Sequence, residues 1–179
     1  MNHLNENLSL LVGHELNILL SDGNSIEGVL ASIKDDYLVI ETDKYFIYHN
    51  LKNVKGFLKN TKKLKSKYFT DLSDEAHTLT EVLRKLQTKW VSINSNVNQN
   101  SDDNQSNKGF SGFLSTVEDE YVILIGKEVQ MYLNTAHINN IILEKEDTNS
   151  NSNFADDYSS SYGAYAYTGR DSIFGGGRK

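Results

Sequence analysis

The sequence predicts a mainly β protein with two small five-stranded barrels in tandem, each preceded by a short helix, and a low-complexity C-terminal tail. Three features predict this class: an internal repeat, alternation of apolar and polar residues in both copies, and a change to Gly, Ser and Tyr at the end of the chain. We assign residues 1–58 to the first module, 59–78 to a linker, 79–146 to the second module and 147–179 to the tail.

The repeat is visible in the sequence itself. EGVLASIKDDYLVIE, residues 27–41, aligns with SGFLSTVEDEYVILI, residues 111–125, at an offset of 84 residues. Upstream, HELNILL aligns with KWVSIN at an offset of 75, so the second copy has nine additional residues. We place them in an enlarged, Asn-rich hairpin loop at 95–108, where the first copy has SDGNS. Downstream, three extra residues in LNTAH are expected to bring Ile141 opposite Val54.

Each copy is predicted to form a short helix followed by about five strands. Helical spacing of apolar residues precedes the first strand of each copy, at Leu4, Leu8 and Leu11 and at Leu79, Val82, Leu83 and Leu86. Asp74 or Thr78 could N-cap the second helix. Gly28 predicts a bend within a strand. The strand-like runs of the first copy are Leu16–Leu20, Ile26–Ile33, Tyr37–Ile40, Tyr45–Tyr48 and Val54–Leu58.

The composition argues against several classes of function. The net charge is −6, so the molecule has no overall basic field that would attract nucleic acid or an anionic membrane. Cysteine is absent, which excludes disulfides, thiolate metal sites and cysteine nucleophiles. No apolar run approaches the roughly 20 residues of a membrane-spanning helix, and the N-terminus lacks an export signal. We therefore expect a soluble protein with no membrane partner.

No catalytic, cofactor-binding or metal-binding set of side chains is recognisable. The paired acids Asp35–Asp36 and Asp119–Glu120 recur in both copies, and we interpret them as polar hairpin turns rather than metal ligands. The terminal FGGGRK lacks the Lys-Ser or Lys-Thr pair and the following helix of a phosphate loop. We expect no enzyme activity, no cofactor and no small-molecule substrate. The histidines have no ligand spacing; they are His3, His14, His49, His77 and His137.

The segment GHELNILLSDGNSIEGVLASIKDDYLVIE resembles the first motif of Sm-like barrels. This resemblance implies tandem Sm-like modules, and it makes an Sm-like nucleic-acid-binding protein the alternative function. Sm-like proteins bind RNA through an Asp and an Asn near the end of this motif and a basic or Arg-Gly stretch in the next. This chain has Lys34 and Leu38 at about those positions and no Arg-Gly in YFIYHNLKNVKG. Together with the acidic charge, this predicts that the chain does not bind nucleic acid.

Three stretches resemble the spore coat protein B family of endospore-forming bacilli: LSDEAHTLTEVLRKLQTKWVSIN, YVILIGKEVQMYLNTAHINNIILEKED and DDYLVIETDKYFIYHNLKNVKG. The resemblance covers roughly residues 10–146. It implies a structural component of the outer layers of the endospore, made in the mother-cell cytoplasm and deposited on the spore coat or exosporium surface. The implied partners are further copies of the chain and other spore coat proteins.

Two further features favour self-assembly. The chain contains no proline, a residue with which monomeric proteins often protect exposed strand edges. The tail also places aromatic side chains at short intervals among Gly and Ser, and we expect these to contact a neighbouring subunit. These predicted assembly residues are Phe154, Tyr158, Tyr162, Tyr165, Tyr167 and Phe174.

Overall fold

The fold was obtained as a computed structural model, which describes residues 8–62, 69–70, 72, 76–94 and 109–145. All of its strands and its helix lie in one compact unit of the chain. The first five strands are β1 Glu15–Leu20, β2 Ser25–Ile33, β3 Tyr37–Glu41, β4 Tyr45–Asn50 and β5 Val54–Lys59. The remaining elements are helix α1 Leu79–Lys85, β6 Trp90–Ile93, β7 Phe110–Val117, β8 Tyr121–Ile125, β9 Gln130–Asn134 and β10 Asn140–Glu144.

The ten strands form one antiparallel sheet in the order β5-β1-β2-β3-β4-β10-β6-β7-β8-β9. We call β5-β1-β2-β3-β4 the first half and β10-β6-β7-β8-β9 the second half. The mainly β class is confirmed, but the prediction of two tandem five-stranded barrels is wrong, because the sheet is single and open. The reason is that β4 pairs with β10, so that an edge of each half is hydrogen-bonded to the other half.

The repeat persists through the fifth strand of each half. Asn17 of β1 pairs with Leu58, and Ser92 of β6 pairs with Ile142. Because Ser92 is the equivalent of Asn17, Ile142 is the equivalent of Leu58, and the offset is still 84 residues. The prediction that LNTAH inserts three residues is therefore wrong. Both copies make the same short 3-10 turn at this point, Leu51–Asn53 and Thr135–His137, and neither gains length.

A close approach between strands explains the glycine in the second strand of each half. A Cβ atom on Gly28 would lie 2.5 Å from Ile40 Cγ2 and 2.8 Å from the Glu41 carbonyl oxygen. A Cβ atom on Gly112 would lie 2.9 Å from the Ile125 carbonyl oxygen. Glycine is thus required here because the second strand comes very close to the third.

Helix α1 begins at a capping box. The Thr78 hydroxyl accepts a hydrogen bond from the Glu81 backbone N–H, and the Glu81 carboxylate accepts one from the Thr78 N–H. Thr78 is therefore the N-cap, one of the two predicted candidates; the other, Asp74, lies outside the described residues. Of the predicted first helix, residues 8 and 9 are helical and Leu4 is outside the described range.

The sheet has a hydrophobic core on each of its faces. One core packs α1, through Leu79, Val82 and Leu83, against strands of both halves, and the other lies mainly within the first half. Strand β3 contributes to both cores: Tyr37 and Val39 belong to the core that contains α1, and Leu38 and Ile40 belong to the other core. No helix among the described residues is long and apolar enough to cross a membrane.

Candidate assembly edges

The sheet ends at two strands, β5 on one side and β9 on the other. Within the part of the chain that the structure describes, no further strand pairs with either. A strand in this position presents unpaired backbone N–H and C=O groups and is a ready template for another strand. We call β5 and β9 the outer strands, and the β4–β10 pair the junction.

The junction shows what the equivalent strands do when they are paired. Tyr48 lies opposite Ile141, and Ile47 lies opposite Ile142. All four side chains are buried, two in each core. Five consecutive residue pairs form this antiparallel contact, and one chain segment from each half supplies it.

Three polar contacts flank the apolar part of the junction. Lys145 Nζ donates to Glu41 Oε1 at 2.7 Å and lies 5.1 Å from the centre of the Phe46 ring. The Lys145 backbone N–H donates to the Lys44 carbonyl at 2.9 Å. Burial raises the pKa of Glu41, but its hydrogen bonds with Lys145 and Thr70 outweigh this effect and hold the pKa below its ordinary value.

Strand β9 is the repeat equivalent of β4, yet its side chains are less buried. Tyr132 occupies the position of Tyr48, and its exposed fraction is 66% against 4% for Tyr48. Met131 occupies the position of the fully buried Ile47 and is only half-buried. Strand β9 therefore carries apolar residue types like those of β4, although within the described residues it pairs with β8 on one side only.

Strand β5 shows the same difference from its equivalent, β10. Leu58 occupies the position of Ile142, and its exposed fraction is 55% against 8%. Phe57 occupies the position of the fully buried Ile141 and is half-buried. Lys59, at the end of the strand, is exposed and brings a positive charge to this edge.

Apolar side chains continue from β9 onto the adjacent strand β8. The rings of Tyr121 and Tyr132 lie 6.2 Å apart, and Gln130 Nε2 donates to the Tyr132 hydroxyl at 3.1 Å. Ile125 and Val129 are also exposed. Contiguous exposed apolar surface of this kind often marks a protein interaction site.

A cavity of about 400 Å³ with several polar lining residues lies beside the junction. His49 lines it with 1% of its surface exposed, and neither ring nitrogen has a hydrogen-bond partner among the described atoms. Burial lowers the pKa of His49 to about 4, although the nearby Asp22 carboxylate opposes this shift. The imidazole is therefore neutral at pH 7. The lining residues are Leu20, Ser21, Asp22, His49, Asn53, Asn94, Gly109, Phe110, Asn139 and Asn140.

The paired acids of the sequence lie between strands, as the turn interpretation predicts, but the side chains of two of them also make tertiary contacts. Asp36 Oδ1 accepts a hydrogen bond from the Leu79 N–H at the start of α1, at 2.9 Å. Asp119 forms an ion pair with Arg84 of α1. Sequence spacing does not reveal these roles, because both partners are far away along the chain.

The other residues singled out in the sequence lie apart from the outer strands or beyond the described chain. Leu38, at one position of the Sm-like RNA-binding pair, is fully buried in the core. Among the described residues, no group of three or more His, Asp or Glu side chains could hold a metal ion. The Asn-rich loop 95–108 lies outside the described residues, as do Phe154, Tyr158, Tyr162, Tyr165, Tyr167 and Phe174.

The chain matches no protein-family model, no curated protein and no solved structure. The resemblances to Sm-like barrels and to spore coat proteins therefore remain predictions from the sequence.

Proposed function

We propose that this chain is a structural protein of the outer layers of the bacterial endospore, coat or exosporium, and that it acts by self-assembly and protein–protein contacts. In this proposal it is made in the mother-cell cytoplasm and deposited on the spore surface. The spore location comes from the sequence resemblance alone. The self-assembly has independent support from the geometry of the sheet.

The observation that carries self-assembly is the exposure of apolar side chains on both outer strands at positions that are buried in the junction. Fully burying an exposed Leu side chain contributes roughly 1.5–3 kcal/mol, and Leu58, which is 55% exposed, would gain about half of this; Tyr132 adds aromatic contacts of about 1 kcal/mol. Backbone pairing along the strand would add to this. Natural proteins that remain monomeric usually protect such edges.

The first experiment measures the molar mass of the full chain by size-exclusion chromatography with light scattering, over a range of protein concentrations. Tyr132→Lys on β9 and Leu58→Lys on β5 are the edge variants. Trp90→Lys on the interior strand β6 is the matched control, because Trp90 is a comparably exposed apolar residue away from both edges. We expect multimers for the wild type and the control, and a shift toward monomer for both edge variants.

A wild type that is monomeric at all concentrations would contradict self-assembly. Salt-sensitive binding of a single-stranded RNA at low ionic strength would instead favour the alternative, an Sm-like nucleic-acid-binding protein. Immunogold labelling of spores tests the location separately, because label confined to the cytoplasm of vegetative cells would exclude a coat or exosporium component.

The tail is tested by deleting residues 150–179. We expect this deletion to reduce the size or yield of the assemblies seen by electron microscopy, since it removes all six predicted aromatic contacts. The free energy of unfolding of the sheet should not change. Normal particles without the tail would rule out its role while leaving the outer strands as assembly sites.

A further inference from the structure

We infer that copies of this chain join head to tail, with β9 of one copy pairing antiparallel with β5 of the next in the register of the internal junction. This inference rests on the proposed self-assembly and specifies its contact. The partner is a second copy of the same chain. The evidence is that the molecule already contains one such contact, between the equivalents of these two strands.

The repeat offset of 84 residues converts the junction into a register for the contact between copies. Residues of β4 move forward by this offset onto β9, and residues of β10 move back by it onto β5. Each residue pair of the junction then predicts one pair between copies. The junction pairs used are Asn140↔His49, Ile141↔Tyr48, Ile142↔Ile47 and Leu143↔Phe46. The predicted pairs between copies are Gly56↔Leu133, Phe57↔Tyr132, Leu58↔Met131 and Lys59↔Gln130.

The side chains on the outer strands suit this register. Phe57 would lie opposite Tyr132, and aromatic pairs directly across an antiparallel ladder are among the favourable ones. Leu58 would lie opposite Met131, which reproduces the apolar Ile142↔Ile47 pair of the junction. Lys59 is exposed and would lie opposite Gln130. The exposed Glu128, two residues before Gln130, would then be a diagonal neighbour of Lys59 with the opposite charge.

The two outer strands differ from each other, and this determines the kind of assembly. A contact between β9 and β5 uses two different surfaces, so it leaves one free outer strand at each end of any complex that does not close into a ring. Such heterologous contacts produce closed rings or open filaments, in contrast to a two-fold dimer. Each chain in a ring, or inside a filament, would then have one junction within itself and two contacts with neighbours, one through β9 and one through β5.

Cysteine cross-linking tests the register directly, because the full chain contains no cysteine. Lys59→Cys and Gln130→Cys are made in separate chains, mixed in equal amounts and oxidised under conditions where the wild type is multimeric. Directly opposed strand residues satisfy the Cα separation that a disulfide needs. Leu58→Cys mixed with Met131→Cys is the second pair, and neither pair removes Tyr132.

The matched control is Lys55→Cys mixed with Gln130→Cys. Lys55 is on the same strand and is exposed, but it lies four residues from Lys59, or roughly 13 Å along the strand. We expect the in-register mixtures to give cross-linked heterodimers on the order of ten-fold faster than this control. Each single variant oxidised alone should give only the slow background.

The outcomes separate this inference from the proposed function. Multimers by light scattering without preferential in-register cross-linking would overturn the head-to-tail register while leaving self-assembly intact. Monomers by light scattering for the wild type would overturn both. Fast cross-linking of Lys59→Cys with itself would indicate β5–β5 pairing and would also overturn the inference.

Discussion

The junction strands and the outer strands are the same repeat in two environments. In the junction, Tyr48 and Ile142 are covered from both halves of the sheet, whereas Tyr132 and Leu58 at the equivalent positions are more than half exposed. The junction strands and the outer strands carry similar residue types. The difference in burial therefore arises because each junction strand has a neighbouring strand on both sides, whereas each outer strand has one on a single side. The apolar character of β9 and β5 therefore suits a further neighbour that the described chain does not provide.

The largest expected contrast is between two tyrosine truncations. Tyr48→Ala should lower the free energy of unfolding by about 3–5 kcal/mol, because it leaves a cavity beside Ile141 and the Tyr37 ring. Tyr132→Ala should change it by less than about 1 kcal/mol, since its ring is mostly in solvent. Urea unfolding at a protein concentration low enough to give monomers measures both. Equal losses would show that β9 is already covered within one chain.

The second prediction uses acid to weaken the junction at His49. The pKa of His49 is lowered to about 4 in the folded protein. Between pH 6.5 and pH 4, His49 is therefore mostly protonated in the unfolded state and mostly neutral in the folded state. Stability should therefore fall as the pH falls through this window, by about 3 kcal/mol in total, and should show no further loss from this group below pH 4.

The repeat provides a control for this pH effect. Leucine occupies the position of His49 in β9, as Leu133, so His49→Leu places a residue there that the equivalent strand accepts. This variant should lose the His49 component of the pH dependence, seen as a smaller difference between urea midpoints at pH 7.5 and pH 4.5. An unchanged difference would show that His49 is not held neutral by burial.

The third prediction compares two glycines. Gly28→Ala should destabilise the sheet by about 1–3 kcal/mol, because the new methyl group would overlap Ile40 and the Glu41 backbone. Gly56→Ala on the outer strand β5 should have little effect, since no atom lies within 4 Å of the added Cβ. Thermal unfolding monitored by circular dichroism distinguishes them. A large loss at Gly56 would mean that β5 has a second close neighbour within the chain, in addition to β1.

The smallest contrast is between two carboxylates. Glu41→Gln should cost about 1–2 kcal/mol, because Glu41 is largely buried and accepts hydrogen bonds from Lys145 and from Thr70. Asp119→Asn should cost less than about 0.5 kcal/mol, because its ion pair with Arg84 is exposed. Urea unfolding at pH 7 in low and high salt measures both costs. Similar costs for the two would show that the buried contact of Glu41 with Lys145 beside the junction adds no more stability than an exposed ion pair.

The local elements could be predicted from the sequence, whereas their pairing between halves could not. Alternating apolar residues predict the strand runs of the first copy, and Thr78 followed by Glu81 is a recognisable capping box. The alternation of apolar residues does not indicate whether β4 pairs with β10 or with β5, the fifth strand of the same half, because either pairing buries the same residue types. The closed barrels were therefore the wrong prediction.

The candidate site was also only partly accessible to sequence analysis. The lack of proline predicted unprotected edges, but only the sheet order shows which two strands are exposed. His49 has no motif around it, and its burial depends on turns from both halves that meet at the junction. The prediction of an insertion in LNTAH is wrong because alignment by residue type makes Val54 equivalent to Ile141. The hydrogen-bond register instead makes Val54 equivalent to Ile138.

The most direct test of head-to-tail assembly mixes the two edge variants. Tyr132→Lys retains an intact β5, and Leu58→Lys retains an intact β9, so each alone should be mainly monomeric. Light scattering of an equimolar mixture should then give twice the monomer mass, because the one productive contact joins β9 of the Leu58→Lys chain to β5 of the Tyr132→Lys chain. A mixture that stays monomeric while the wild type forms multimers would contradict this pairing.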